Sequence, residues 1–303
     1  MNQQVFLVGA PRSGGGLFLD LMTSHPAFGW ISNKLDARPD NLRAAAKNRR
    51  FDWPLLGEYW FERRFWVKHL PHPSPGDRFW EHWLPPFHVA GDAPRIPGPE
   101  DLSDETAAAC AGAVDEILLL QNRDRFVAQY SGWPRVAFFR KVFPAAKFIQ
   151  LQRDPRSVAY RLAQTWKAAG ERNPPEPTPW SEREAWRALM PETLRTRLAS
   201  LPDTPLNFAG VYVRWLHESY KSEFHALPET DWLSLAYADL LAHPEKTMNR
   251  ALDFLGLPPS KRMRRYVKYH QIRDKNQRLR KDLSETAAAQ LEDAVKKISA
   301  PSA

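Results

Sequence analysis

The chain has 303 residues, 43% hydrophobic and 26% charged, a composition that excludes intrinsic disorder and is long enough to bury the core of one large domain. A single cysteine, Cys110, excludes an intrachain disulfide and any cysteine-rich metal centre, so a reducing compartment is the expected home. The formal net charge of +8 favours anionic partners, a nucleotide or a sulfate ester as readily as nucleic acid, but no recognisable DNA- or RNA-binding module accompanies the basic residues.

The first element is Val5-Phe6-Leu7-Val8, an apolar run that reads as a buried parallel strand. It is too short for the core of a signal peptide, and no other run approaches the ~20 residues of a bilayer span, so a cytoplasmic chain without a membrane segment is expected. A glycine-rich turn follows, Gly9-Ala10-Pro11-Arg12-Ser13-Gly14-Gly15-Gly16, and then a helix over Leu17 to Ser24. A helix start offers unpaired N–H groups and a positive dipole end, so this junction is a natural anion site. Its Gly-x-x-x-x-Gly spacing begins like a Walker loop, but the Lys and Ser/Thr that would hold terminal phosphates and magnesium are replaced by Gly15 and Gly16. Kinase or triphosphatase chemistry is therefore not expected.

Residues 51–99 are rich in Trp, Pro and His and break the pattern; they read as an insertion over the open end of a sheet. Further on come a helix over Asp104 to Asn122 capped by Ser103, a strand at Arg125 to Tyr130 and a helix at Pro134 to Phe143. The strand Lys147 to Leu151 leads into a helix over Pro155 to Lys167, with Asp154 as its cap and Pro155 at its first position. That places Arg153 at the carboxyl edge of a parallel sheet, where α/β folds bind ligands, as a bidentate phosphate clamp or as the partner of a carboxylate. The Pro-rich stretch 173–180, with Trp180 and Trp186, reads as a lid-like loop over 170–190. A helix over Asn207 to Leu227, a strand at Trp232 to Leu235 and a helix from Pro244 to Leu255 ending at Gly256 complete the alternation. Residues 261–281 carry ten Lys/Arg against one Asp, and a last helix is expected near Ser284. The fold class is α/β, a central parallel sheet flanked by helices, in one domain over 1–303.

Three stretches together resemble the sulfotransferases that use 3′-phosphoadenosine 5′-phosphosulfate (PAPS). Pro11-Arg12-Ser13-Gly14 is similar to their phosphosulfate loop, which usually continues with two threonines. The run from Phe148 to Val158, with Arg153-Asp154-Pro155-Arg156, is similar to the strand end that holds the nucleotide 3′-phosphate. Tyr237-Ala238-Asp239-Leu240, continuing through Pro244 to Phe254-Leu255-Gly256-Leu257, is similar to the C-terminal signature. The resemblance covers residues 5–24, 124–165 and 231–257 in the family's order. It implies a P-loop-like sheet, PAPS as co-substrate with no metal, and donor binding by Arg12, Ser13, Gly14, Gly15, Gly16 and Arg153.

Departures are equally specific. Gly15 and Gly16 remove two hydroxyls, which leaves open a weakened enzyme or a catalytically impaired nucleotide-binding protein. Arg161 stands where the family usually has a phosphate-binding serine, and either reaches the phosphate or faces solvent. Arg278, in the basic run 273–281, either closes over the nucleotide or lies on a solvated face. No base motif matches cleanly. Among His69, His72, Asp77, His82 and His88 in the insertion, Asp77 and His72 are the candidates beside Arg12 as the residue on the leaving oxygen. Trp53, Trp60, Trp66, Trp80 and Trp83 either pack a lobe onto the sheet or line a pocket for a hydrophobic or aromatic acceptor.

Overall fold

Five strands alternate with helices and pair in parallel throughout. A computed structural model describes residues 3–52, 70–85, 97–269 and 283–296. The strands are β1 (Gln3–Gly9), β2 (Phe28–Gly29), β3 (Arg125–Ser131), β4 (Lys147–Gln152) and β5 (Trp232–Ala236), in the spatial order β2-β3-β1-β4-β5. Parallel neighbours need crossovers, and each crossover lays a helix on a face of the sheet. Both faces are consequently dry, which explains why the strands read as unbroken apolar runs rather than alternations. Along β1, Val5 and Leu7 enter one core with Val127, Ile149, Leu151 and Leu235, while Phe6 and Val8 enter the other with Phe126, Ala128 and Phe148.

The first core is covered by α1 (Gly15–Thr23), α10 (Tyr237–Ala242), α11 (Pro244–Phe254) and α12 (Lys261–Tyr269). The second is covered by α4 (Asp104–Gln121) and α5 (Val136–Val142), with Trp80 from α3 (Asp77–Trp83) inserted between Phe6, Phe126 and Phe139. Trp80 is 1% exposed and donates its indole N–H to the Pro75 carbonyl, and Trp83 donates to that of Pro39. Of the insertion's tryptophans, these two are therefore packing residues; Trp53, Trp60 and Trp66 lie outside the described residues. Cys110 is buried in α4, and burial pushes its thiol up to about 12. No described helix is long and apolar enough to cross a membrane.

A third cluster joins α6 (Pro155–Gly170), α7 (Arg183–Leu189), α8 (Glu192–Ala199), α9 (Pro205–His225) and α13 (Glu285–Val295). Here Gly210 lets α9 approach α13 closely, since a Cβ at 210 would lie 2.6 Å from that of Ala294. Cap chemistry matches the sequence at several ends. Ser103 accepts from Thr106 N at 3.1 Å, Asp154 from Arg156 N at 3.2 Å and Ser284 from Ala287 N at 3.2 Å, while Gly256 is left-handed with φ +62°.

The differences have local causes. Helix α1 starts at Gly15, two residues before the expected Leu17, because its first turn is built from the glycines themselves. Strand β2 is only two residues long and carries no pattern; it is fastened where Gln121 both accepts from Trp30 N at 3.1 Å and donates to Trp30 O at 2.8 Å. A second helix, α2 (Asn33–Asp36), follows it, capped by Ser32.

His25 links the end of α1 to the Pro258 carbonyl through Nε2 at 3.0 Å while Nδ1 accepts from Ala27 N at 3.1 Å, which fixes the neutral ring. Burial, aided by the charge of Arg125, holds its pKa below 6.5 despite the opposing bond to Pro258. A lowered native pKa means that the unfolded chain takes up the proton first. The stability His25 supplies is thus present above pH 6.5 and is lost as the pH falls through its native pKa. Thermal unfolding scanned from pH 8 to 5 should show a decline that His25→Ala flattens while lowering the plateau.

Candidate functional site

The site grows from the turn between β1 and α1. Ser13 N donates to Ala10 O at 3.2 Å, and Phe18 N is the first amide of α1 to find a carbonyl, that of Gly14, at 3.1 Å. The amides of residues 15, 16 and 17 precede the helical ladder and face the carboxyl edge of the sheet. Arg12 and Gly14 both have left-handed backbone, at φ +69° and +99°. Left-handed residues between right-handed ones turn successive N–H groups to one side, forming an anion cradle. For an arginine this conformation costs on the order of 1–3 kcal/mol.

Arg153 holds the turn in that state. It is 7% exposed at the end of β4 and donates from its guanidinium to Arg12 O at 2.8 Å. Its guanidinium also lies over the ring of Tyr237, 4.7 Å from the centroid, where β5 runs into α10. The same ring walls Gly14, where a Cβ would sit 2.6 Å from it. Gly14 is thus required twice, by its φ and by the tyrosine.

The other charged groups of the second motif divide. Asp154 caps α6 and bonds Ser157 Oγ at 3.0 Å, and Arg156 pairs with Asp154 and with Glu292, each at 3.0 Å. These are structural contacts. Arg161, one turn further along α6, is half-buried and close enough to Arg12 for its charge, second to burial, to lower the pKa of the Arg12 guanidinium. No described residue gives either guanidinium a carboxylate. Ser13 Oγ, 3% exposed, also lacks a hydrogen-bond partner. Two like charges and an unsatisfied hydroxyl beside a cradle of amides are an arrangement suited to a polyanion.

Gln129, which sequence reasoning passed over as one more residue of a buried strand, stands opposite the first residue of α1. It is 7% exposed and paired in register with Leu7, and its Nε2 would lie 2.7 Å from a Cβ at Gly15. At Gly16, by contrast, a Cβ meets nothing within 4 Å.

Beyond β3 lies an aromatic quarter. Tyr130, buried, has its phenol pushed up to about 12 by desolvation, with Arg135 opposing and Asp77 and Glu223 adding to the rise. Asp77, exposed at the start of α3, therefore lies within electrostatic reach of Tyr130, and Arg135 sits 5.1 Å from the Tyr130 ring centroid. His72 is exposed and its backbone pairs with Asn33, donating to Oδ1 at 3.0 Å. His82 rests on Trp83. Glu223 is half-buried, and partial desolvation raises its pKa; its oxygen accepts from Val136 N at 2.6 Å and Ala137 N at 3.3 Å, so it caps α5. Trp133, Trp186, Trp215 and Tyr212 pack together at 4.2–6.4 Å in the cluster that includes Ala10 of the glycine turn. Trp180 lies against Phe208. Arg278, His69 and His88 lie outside the described residues.

On the other side, a groove of about 1020 Å³ runs from Arg153 and Tyr237 between β4, β5 and α9, lined by Arg214, His217 and Lys221.

A glycine turn at β1, a cation at the end of the neighbouring strand and an all-parallel sheet define an α/β protein of the phosphate-binding-loop type. The family model described as "Sulfotransferase family" matches residues 4–261, and the chain belongs to that family of sulfuryl-transferring enzymes. No curated protein sequence matches it. Among solved structures, sulfotransferase STF9 from Mycobacterium avium is 13% identical over 97% of this chain and 75% of its own, with a TM-score of 0.53, and shares the fold. Sulfotransferase STF1 from Mycobacterium tuberculosis H37Rv is 14% identical over 93% and 76%, with a TM-score of 0.49. Mouse SULT7A1, complexed with PAP, is 10% identical over 96% and 82%, with a TM-score of 0.46.

The two glycines separate experimentally. Gly14→Ala should lower the melting temperature, by the strain of φ +99° plus the clash with Tyr237, whereas Gly16→Ala should hold or raise it. Thermal denaturation of the pair checks this.

Proposed function

We propose that the chain transfers a sulfuryl group from PAPS to a hydroxyl, or an amine, of a hydrophobic acceptor. The observation that carries this reading is the convergence of Arg12, Arg153 and Arg161 on one glycine cradle with a partnerless Ser13 hydroxyl. On this reading the amides of Gly14, Gly15 and Gly16 and the Ser13 hydroxyl hold the 5′-phosphate, Arg153 and Arg161 take the 3′-phosphate, and Arg278 adds a contact from the basic run. The acceptor oxygen attacks sulfur, the bond from sulfur to the phosphate oxygen breaks, and 3′-phosphoadenosine 5′-phosphate leaves. Arg12 stabilises the charge that develops on the leaving oxygen, so fixed cations supply the electrostatic term. The acceptor proton passes to Asp77, with His72 as the alternative on the facing segment.

The Trp133, Trp186 and Tyr212 cluster supports an apolar acceptor, with the insertion 51–99 as its lobe and residues 170–190 as a lid. This wall differs from the insertion tryptophans that the sequence suggested, of which Trp80 and Trp83 serve the core.

Calorimetry with 3′-phosphoadenosine 5′-phosphate and with magnesium-ATP tests the donor: binding of the first and not the second is expected, and the reverse result ends the reading. Arg153→Ala should weaken that binding by roughly 10- to 100-fold, the range for charge-assisted hydrogen bonds. Binding without transfer of labelled sulfate to any of a broad acceptor panel would identify the impaired nucleotide-binding protein instead. For the base, Asp77→Asn should depress kcat by about 10²-fold or more with donor affinity unchanged, as for loss of general-base assistance; full activity in that variant would move the role to His72.

A further inference from the structure

The glycine at position 15 has a physical reason, and it lies on β3. A Cβ on Gly15 would stand 2.7 Å from Gln129 Nε2, 3.0 Å from its Cδ and 3.3 Å from its Cγ. Real Cβ atoms do not approach a neighbour to 2.7 Å, so a side chain at 15 would have to push the carboxamide aside. Gln129 is itself 93% buried. What lies beside it is the start of a nine-residue helix whose leading amides are free, next to the orphaned Ser13 hydroxyl. At Gly16 the space is open, so the two glycines are not equivalent.

We infer that Gln129 is a donor-binding residue: its carboxamide N–H groups reach the 5′ end of the donor, at the phosphate and sulfuryl oxygens, and replace the side-chain hydrogen bond that position 15 cannot make. Gly15 is then the complement of Gln129, a small residue kept small by a large polar neighbour, and not a site of decay.

This inference rests on the PAPS reading above, and two ligands separate its failure from that one's. 3′-Phosphoadenosine 5′-phosphate carries a 5′-phosphate and adenosine 3′-phosphate does not. If the parent protein binds neither, the donor reading falls and this inference falls with it. If the parent binds both, Gln129→Met, similar in length and lacking a donor, should weaken the bisphosphate about 10-fold or more and leave adenosine 3′-phosphate within about 2-fold. Binding of the second ligand also shows that the variant is folded. Gly15→Thr should displace the carboxamide and weaken the bisphosphate. The double variant Gln129→Ala with Gly15→Thr should recover most of what either single change loses, because the hydroxyl then has both space and a ligand. Equal losses for both ligands, unchanged affinity in Gln129→Met, or strictly additive losses in the double variant would overturn the assignment.

Discussion

The guanidinium of Arg153 is the point on which the carboxyl edge of the sheet depends. It lies at the end of β4, gives a hydrogen bond to the carbonyl of Arg12 at 2.8 Å and lies over the ring of Tyr237 at 4.7 Å. Three strand ends are thereby tied by one side chain. Burying a cation to 7% exposure is costly, and a carbonyl and an aromatic face return only part of the lost hydration. The left-handed turn at Arg12 follows from the same contact, since its carbonyl has to face inwards to meet the guanidinium.

Most of the scaffold was legible in the sequence because it is written in local rules. Strands β1, β3 and β4 are buried along most of their length and β5, at the edge, is half-buried, and Ser103, Asp154, Ser284 and Gly256 mark helix ends by chemistry that needs no tertiary information. The elements that escaped are those held by distant partners. Strand β2 has two residues and is secured by the Gln121 side chain, 91 positions away. Helix α7 buries no residue fully and α8 only Leu194 and Leu198, and their caps carry no side-chain bond.

The site divides in the same way. Arg12, Ser13 and Arg153 could be picked out because a glycine turn after a strand and a cation at a strand end have meaning by position. Arg161 was left open by the sequence, since helix phase alone does not say which side of α6 faces the loop; its proximity to Arg12 answers that. Gln129 had no signal at all. A glutamine inside Phe-Val-Ala-Gln-Tyr is an ordinary strand residue until the chain folds and brings it over Gly15. Trp80 and Trp83 of the insertion pack into the core, one of the two roles their clustering allowed, while Trp133 and Trp186 meet only through the fold.

Helix α9 carries a consequence of its own. With 21 residues at 1.5 Å each it is a rod of about 31 Å. Along it, Gly210 meets α13, Tyr212 and Trp215 belong to the aromatic wall, Tyr220 donates to the Gly9 carbonyl at 3.4 Å, and Glu223 caps α5. A helix of that length resists bending, so the aromatic cluster and the end of β1 share one lever. Tyr220 lies ten residues from Gly210, about 15 Å along the axis. The seam with the C-terminal helix and the strand end that precedes the glycine turn are thus fixed to the same rigid rod.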